Sequence, residues 1–370
     1  MLSPNTVLLP ETAMFPNTAL TRMLGIEFPI IQAPMAGGPS TPELAAAVSN
    51  AGGLGSLAGG MLSPDAIRQS VAETRRLTDK PFAVNLFILE TPHPDADQVA
   101  RAIQLLDPIR TELGLPFEPA ITKFCEDFHE QFDTVLELRP ALVSFTFGIL
   151  SPRQVSALHE RGSLVCGTAT TVAEARAWEA AGADLVCAQG SEAGAHRGTF
   201  LGDFESSLVG TMALVPQASD AVRIPIIAAG GIMDGRGIAA AHMLGAAGVQ
   251  MGTAFMRCPE AGTSAPWREA LRSAKDDQTR VSRVYSGKHA RGLVNEFMRQ
   301  LTPHLDEIPP YPVQNALTVP IRRAAAKQNR PEFFSLWAGQ AASLGRELPA
   351  TELIDALVRE TKAALHREAV

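Results

Sequence analysis

The sequence has few aromatic residues, few cysteines and no long apolar segment. Of its 370 residues only 6% are Phe, Trp or Tyr, and no uninterrupted apolar segment reaches the length that crosses a bilayer. The four cysteines, which are Cys125, Cys166, Cys187 and Cys258, form no C-x-x-C pair and have no histidine-rich neighbourhood. These absences argue against a membrane protein, a disulfide scaffold and a zinc site, and we predict no bound metal.

The chain also lacks an excess of positive charge. Lys and Arg number 32 against 39 Asp and Glu, which gives a net charge of -7, and no basic tract is present. This balance argues against nucleic acids and anionic membranes as partners. Residues 1–20 lack the basic and apolar blocks of a signal peptide, so we interpret them as an N-terminal tail and expect a cytoplasmic protein.

Short apolar segments alternate with helical patterns along most of the chain. Such repeats of strand, helix and strand imply parallel pairing, and eight of them fit a (β/α)8 TIM barrel over residues 21–257. A doubly wound open sheet is the alternative, but Ala33-Pro34-Met35-Ala36-Gly37-Gly38 does not match its G-x-G-x-x-G loop. The predicted strands are Pro29–Ala33, Gly53–Leu57, Phe82–Leu86, Ala141–Thr146, Leu164–Gly167, Asp184–Ala188, Pro225–Ala229 and Gly248–Met251.

Two segments depart from the repeat. Residues 92–139 are rich in proline, charge and aromatics, and we predict a helical insert between strands three and four. Residues 258–370 are predicted to form a smaller, mostly helical C-terminal subdomain that covers the barrel mouth. Its predicted helices are Pro266–Ser273, Val294–Leu301, Val313–Lys327 and Glu352–His366.

The predicted strand ends carry a coherent set of polar and glycine residues. Reactive groups of a (β/α)8 enzyme lie at the carboxyl ends of its strands. His196 lies in such a loop, Gln189–Gly198, and has the pKa range of a general base near neutral pH. The alternative is a loop histidine bonded to backbone. The set is Met35, Asn85, Thr146, Gln189, His196, Gly230, Gly231, Gly252 and Thr253.

Two glycine turns follow the last two predicted strands. Gly230-Gly231 precedes a predicted helix whose free N–H groups attract anions, and Gly252-Thr253 adds N–H groups and a hydroxyl. Barrels commonly hold phosphate at strands seven and eight. Each turn alone is better explained by chain reversal, whereas two in consecutive units favour a phosphate site.

Several side chains near these turns have more than one interpretation. The amides of Asn85 and Gln189 suit the pyrimidine edge of a flavin, or cap strand ends. Glu192 is interpreted as a solvated loop carboxylate. Arg291, in the motif Ser286–Asn295, either places a positive charge over an anionic ligand or is solvated. Thr146, Ser286 and Arg291 are our candidates for substrate binding.

These motifs together resemble the class I nitronate monooxygenases, formerly called 2-nitropropane dioxygenases. The matching segments cover nearly the whole chain after the tail, and their combined order is specific. They are Pro29–Gly38, Ala45–Ser56, Pro81–Phe87, Gln189–Gly198, Ala228–Gly237, Val249–Cys258, Ser286–Asn295 and Leu336–Ala341.

The resemblance implies a barrel that binds FMN and a histidine base matched by His196. It implies oxidation of alkyl nitronates by molecular oxygen to a carbonyl compound and nitrite. We expect no nucleic-acid or membrane partner, and we consider a homodimer as the assembly. The flavin contacts that it implies lie at Asn85, Gln189, Gly194, Gly231, Gln250, Met251, Gly252 and Thr253.

The chain departs from the family pattern at two positions. Ala195 replaces the second glycine of Glu-Ala-Gly-Gly-His, which requires a negative φ there or tolerated strain. Thr146 stands where some members carry a second histidine, and a threonine cannot act as a base. Two alternative functions remain: an NAD(P)H-dependent flavin reductase of the same barrel family, and a phosphate-binding barrel without redox chemistry.

Overall fold

The computed structural model describes residues 15–117, 119, 121 and 123–366. All eight predicted barrel strands are confirmed and are parallel. They are β1 (Ile30–Gln32), β2 (Gly55–Ala58), β3 (Phe82–Phe87), β4 (Leu142–Thr146), β5 (Leu164–Ala169), β6 (Leu185–Gln189), β8 (Ile226–Ala229) and β9 (Gly248–Met251). A second, antiparallel sheet contains β7 (Ala195–His196), β10 (Thr279–Ser282) and β11 (Ala290–Leu293).

The eight parallel strands form a ring. Their order is β1-β9-β8-β6-β5-β4-β3-β2. Two backbone hydrogen bonds of 2.9 Å join the ends of this order, from Leu54 N to Ile30 O and from Gln32 N to Leu54 O. The predicted (β/α)8 barrel is therefore the observed fold.

Helices follow most barrel strands, and their boundaries follow local capping chemistry. Thr41, Ser63, Ser151 and Thr171 each accept a hydrogen bond from a backbone N–H of the first helical turn. The helices are α1 (Ala19–Leu24), α2 (Pro42–Asn50), α3 (Pro64–Leu77), α4 (Ala96–Glu112), α5 (Phe128–Leu138), α6 (Pro152–Glu160), α7 (Val172–Ala181), α8 (Thr211–Ala221), α9 (Gly235–Met243), α10 (Ala265–Arg272), α11 (Glu296–Leu301), α12 (Val313–Lys327) and α13 (Ala350–Leu365). Among the described helices none is long and apolar enough to cross a membrane.

The barrel interior changes from apolar to polar along its axis. Towards the amino ends of the strands, Ile31, Leu142 and Ile227 share one buried cluster with Leu20 of α1. Residues 1–14 of the predicted tail lie outside the described residues, whereas α1 packs against this cluster. Because side chains alternate along a strand, positions two residues further on line the opposite mouth. Four residues of the same cluster, Ala83, Leu142, Cys166 and Cys187, are followed two positions later by a polar residue. These polar residues are Asn85, Ser144, Thr168 and Gln189.

A second apolar core lies outside the barrel and contacts the loops after its strands through Met35 and Ala195. It joins α4 of the insert, through Leu106 and Ile109, to α12, through Leu317 and Ile321, and it contains Trp337. Helices α10 and α11 contribute to the same core. The last helix, α13, instead packs against α9 and α2 and shares the barrel core, so it takes the place of the eighth barrel helix. The division at residue 258 stays a prediction.

Candidate functional site

The polar mouth of the barrel is held by hydrogen bonds between neighbouring strands. Asn85 Nδ2 donates to the Ser144 carbonyl oxygen at 3.1 Å and to Ser144 Oγ at 3.0 Å. The hydroxyl of Thr146 lies 3.3 Å from that of Thr168. Asn85 Oδ1 accepts no hydrogen bond from any described residue, so this acceptor remains available at the mouth.

Gln189 fixes the loop that carries the predicted base. Its Nε2 donates to the His196 carbonyl oxygen at 2.9 Å, and its Oε1 accepts from Gly198 N at 2.8 Å. Both ends of this amide are therefore bonded to the loop. The loop also joins the second sheet, because Ala195 pairs with Arg291 and His196 with Ala290.

The departure from the family pattern at Ala195 produces backbone strain. Ala195 has a φ of 61°, in the left-handed region that favours glycine. Phe147, at the end of β4, is also left-handed, with a φ of 78°. Strained backbone that is held in place by its surroundings is common at functional sites. The loops of β4 and β7 thus present two such residues at the mouth of one barrel.

His196 and Ser286 come together across 90 positions of sequence. His196 Nε2 lies 2.7 Å from Ser286 Oγ. The Ser286 hydroxyl donates to the Lys288 carbonyl oxygen at 3.1 Å, so it accepts from the imidazole. This pattern assigns the proton of neutral His196 to Nε2 and leaves the lone pair of Nδ1 free to accept a proton.

Aromatic rings enclose His196. Its ring centroid lies 5.5 Å from those of Phe147, Tyr311 and Trp337. Burial, with smaller contributions from Lys288 and Arg322, lowers the pKa of His196 to about 3. The imidazole is therefore neutral near pH 7, but its pKa lies well below the near-neutral range that the sequence predicts for a general base.

Two charged residues, Arg291 and Glu192, connect the loop to neighbouring segments by hydrogen bonds. Arg291 Nε donates to the Ser191 carbonyl oxygen at 3.0 Å, and Nη1 donates to Thr279 Oγ1 at 3.1 Å. The carboxylate of Glu192 accepts from Thr211 N and from Thr211 Oγ1, each at 2.9 Å. The interpretation of Glu192 as a solvated carboxylate is therefore wrong. Substrate binding by Arg291 stays a prediction beside these structural contacts.

The two glycine turns lie side by side after β8 and β9. Gly230 and Gly231 have φ values of 118° and 71°, which L-residues rarely adopt. The N–H groups of Gly231 and Thr253 donate no hydrogen bond to a described residue outside the regular elements. Thr253 Oγ1 accepts from Gly339 N at 3.0 Å. Unpartnered N–H groups on adjacent turns can bind an anion, and a phosphate site at these turns stays a prediction.

The remaining predicted contacts surround these turns. Met35 and Gln250 are half-buried, whereas Met251 is buried in the barrel core. A Cβ atom on Gly194 would lie 2.6 Å from the Ala338 carbonyl carbon, so only glycine allows the loop to approach this segment. Roles for these residues in cofactor binding stay predictions.

Sequence reasoning missed most of the residues that surround His196. Lys288 lies in the motif Ser286–Asn295 and Trp337 in the matching segment Leu336–Ala341, but no pattern in the sequence marks either one as a site residue. Phe147 immediately follows Thr146. Tyr311 and Arg322 carry no local signal, because they reach the site from the segment before α12 and from α12 itself.

A (β/α)8 barrel with a neutral, enclosed histidine beside paired glycine turns has the architecture of a barrel enzyme. The sequence model of the family "Nitronate monooxygenase" matches residues 17–360. The chain therefore belongs to the nitronate monooxygenase family, and it is an oxidoreductase of a family of flavoenzymes.

Several known proteins are similar to the chain over most of its length. A probable nitronate monooxygenase from Staphylococcus saprophyticus is 44% identical over 354 residues, which cover 95% of this chain and 99% of that protein. One from Staphylococcus aureus is 42% identical, with coverages of 94% and 98%. The crystal structure of nitroalkane oxidase from Streptomyces ansochromogenes matches with a TM-score of 0.86 at 40% identity, over 94% of this chain and 99% of that one. FabK from Thermotoga maritima has a TM-score of 0.74 at 33% identity, with coverages of 95% and 97%.

Proposed function

We propose that the protein binds FMN and oxidises alkyl nitronates with molecular oxygen to a carbonyl compound and nitrite. The observation that carries the proposal is the neutral imidazole of His196, enclosed by three aromatic rings. Its Nδ1 makes no hydrogen bond to a described residue and can accept a proton from the carbon of the substrate. Membership in the nitronate monooxygenase family supports the same substrate class.

The residues at the strand ends fit FMN. The unpartnered N–H groups of Gly231 and Thr253 suit a phosphate, and the free Oδ1 of Asn85 suits an N–H donor of the flavin ring. Gln189 contributes indirectly, because its amide holds the loop that carries His196. Bound FMN would supply the electron acceptor and the group that reacts with oxygen.

The residues around His196 give the substrate its position and its proton acceptor. Nδ1 of His196 takes the proton from a neutral nitroalkane, while Ser286 keeps the opposite nitrogen protonated. Phe147, Tyr311 and Trp337 supply apolar walls for the alkyl chain and exclude water from the imidazole. A preformed nitronate needs no deprotonation and uses only the binding surface.

The test is anaerobic mixing of the flavin-loaded protein with ethyl nitronate and, separately, with NADH or NADPH, while flavin absorbance is followed. Rapid bleaching by ethyl nitronate, with slow or absent bleaching by the nicotinamides, supports the proposal. Bleaching within seconds of adding NADH or NADPH, with none by ethyl nitronate, overturns it in favour of a flavin reductase. If the protein purified after loading with FMN contains no flavin, the assignment of FMN as the cofactor is wrong.

A further inference from the structure

Lys288 lies at the tip between β10 and β11, beside the enclosed histidine. Its Nζ lies 4.9 Å from the centroid of the Phe147 ring, and that ring meets the His196 ring edge-on at 5.5 Å. The backbone of Lys288 is tied to Ser286, whose hydroxyl bonds to both the carbonyl oxygen and the N–H of Lys288. The same serine thus fixes the backbone of Lys288 and contacts the imidazole of His196.

The charge of Lys288 is poorly compensated within the protein. Its Nζ donates to the Thr199 carbonyl oxygen at 3.1 Å, and no ion pair joins it to a carboxylate of a described residue. Glu174 influences Lys288 at longer range, but its oxygens already accept from Thr170 and from the N–H groups of Phe200 and Leu201. An ammonium group has three donors, so two remain unused.

The other cations near the site make more hydrogen bonds within the protein, although Arg322 Nε is buried without a partner. Arg322 donates to the carbonyl and side-chain oxygens of Asn315 and to Ser335 Oγ. Arg291 donates to Ser191 and Thr279. A half-buried ammonium group without a direct ion pair is costly, and an anionic ligand would relieve that cost. Lys288 is the cation beside His196 whose charged group makes a single hydrogen bond to a described residue.

We propose that Lys288 binds the negatively charged oxygens of the nitronate and makes the site select the anionic nitronate over the neutral nitroalkane. This inference rests on the proposed function and deepens it by assigning the residue that reads the charge of the substrate. The apolar walls treat the alkyl chains of both forms alike. The ammonium distinguishes them because only the nitronate brings a full negative charge to the half-buried site.

Three variants separate charge from packing. Lys288→Met keeps the length and apolar stem but removes the charge, Lys288→Gln serves if the methionine variant does not fold, and Lys288→Arg restores the charge. Lys275→Met removes the same charge from an exposed position and controls for net charge. Circular dichroism and flavin content establish folding for each variant.

The measurements are KM for ethyl nitronate and for nitroethane, and the Kd of propionate, a non-reacting planar anion, from calorimetric titration. We expect Lys288→Met to raise KM for ethyl nitronate and Kd for propionate by about tenfold or more, the scale of a lost hydrogen bond to a charged group. KM for nitroethane should rise several-fold less, and Lys288→Arg should recover most of the loss.

Equal rises in KM for both substrates, or an unchanged propionate Kd in a folded Lys288→Met variant, would overturn the inference. A wild-type protein that does not oxidise ethyl nitronate would overturn the proposed function instead. In that event, loss of propionate binding in Lys288→Met would still support an anion site at this lysine.

Discussion

Replacing His196 by Asn tests whether the enclosed imidazole acts as a base. Asn removes the basic nitrogen while keeping a polar group of similar reach. Loss of a general base lowers the rate by about a hundredfold to ten-thousandfold, so kcat/KM for nitroethane should fall by that factor. The value for ethyl nitronate should fall by less than about tenfold, because its proton is already gone.

Ser286 supplies a second, smaller perturbation of the same base. Ser286→Ala removes the 2.7 Å contact with His196 Nε2, and a net hydrogen bond contributes about 1 kcal/mol, or roughly fivefold in rate. If the serine acts by holding the ring and its tautomer, this loss should disappear when the imidazole is absent. The variant His196→Asn/Ser286→Ala should then equal His196→Asn, as coupled residues do in a double-mutant cycle.

The assay is oxygen consumption at several concentrations of each substrate, with flavin content measured for every variant. Ser273→Ala, at an exposed position, is the matched control for Ser286→Ala. An equal collapse on nitroethane and ethyl nitronate, with flavin retained, would refute the role of His196 as a base. Additive losses in the double variant would show that Ser286 does not act through His196.

Three further predictions follow from the same contacts. Burial holds the folded-state pKa of His196 at about 3, below its unfolded value of about 6.5, so the unfolded chain binds the extra proton between these pH values. The free energy of unfolding of the wild type should therefore fall more steeply than that of His196→Asn as the pH drops from about 6.5 towards 3. Urea unfolding at several pH values measures this difference. Glu192→Ala removes the three hydrogen bonds from Thr211 and should lower the free energy of unfolding by about 2 kcal/mol, whereas an unchanged urea midpoint would contradict this. Gly252→Val should obstruct the phosphate site and release flavin, measured by absorbance; a folded, fully flavinated variant would show that the phosphate lies elsewhere.

The barrel was predictable from sequence because its signals are local. Each barrel strand is a short apolar segment, and each following helix begins at a capping residue such as Ser63 or Thr171. Helix α3, for example, spans Pro64–Leu77 and begins directly after its cap at Ser63. The strand ends then gave the positions of Asn85, Gln189 and His196 without knowledge of any distant contact.

The second sheet was not predictable, because its pairing is not local. β7 has two residues in a glycine-rich loop, and its partner β11 lies about 90 positions later. The sequence of β11 contains Gly292, which weakens a strand pattern. The predicted helix Val294–Leu301 therefore starts too early: the observed helix begins at Glu296, after Asn295 caps it by accepting from Met298 N.

The second sheet explains why the site lies where two apolar cores meet. The barrel contributes the glycine turns and the anchored amide of Gln189, while the part of the chain after β9 contributes Ser286, Lys288 and Trp337. β7 belongs to the loop after barrel strand β6, but it pairs with β11 from the part after β9. The missing side chain of Gly194 lets the two come within contact distance. The tautomer, pKa and enclosure of His196 therefore depend on both cores at once, so a change that loosens their packing should reduce activity before it unfolds the barrel.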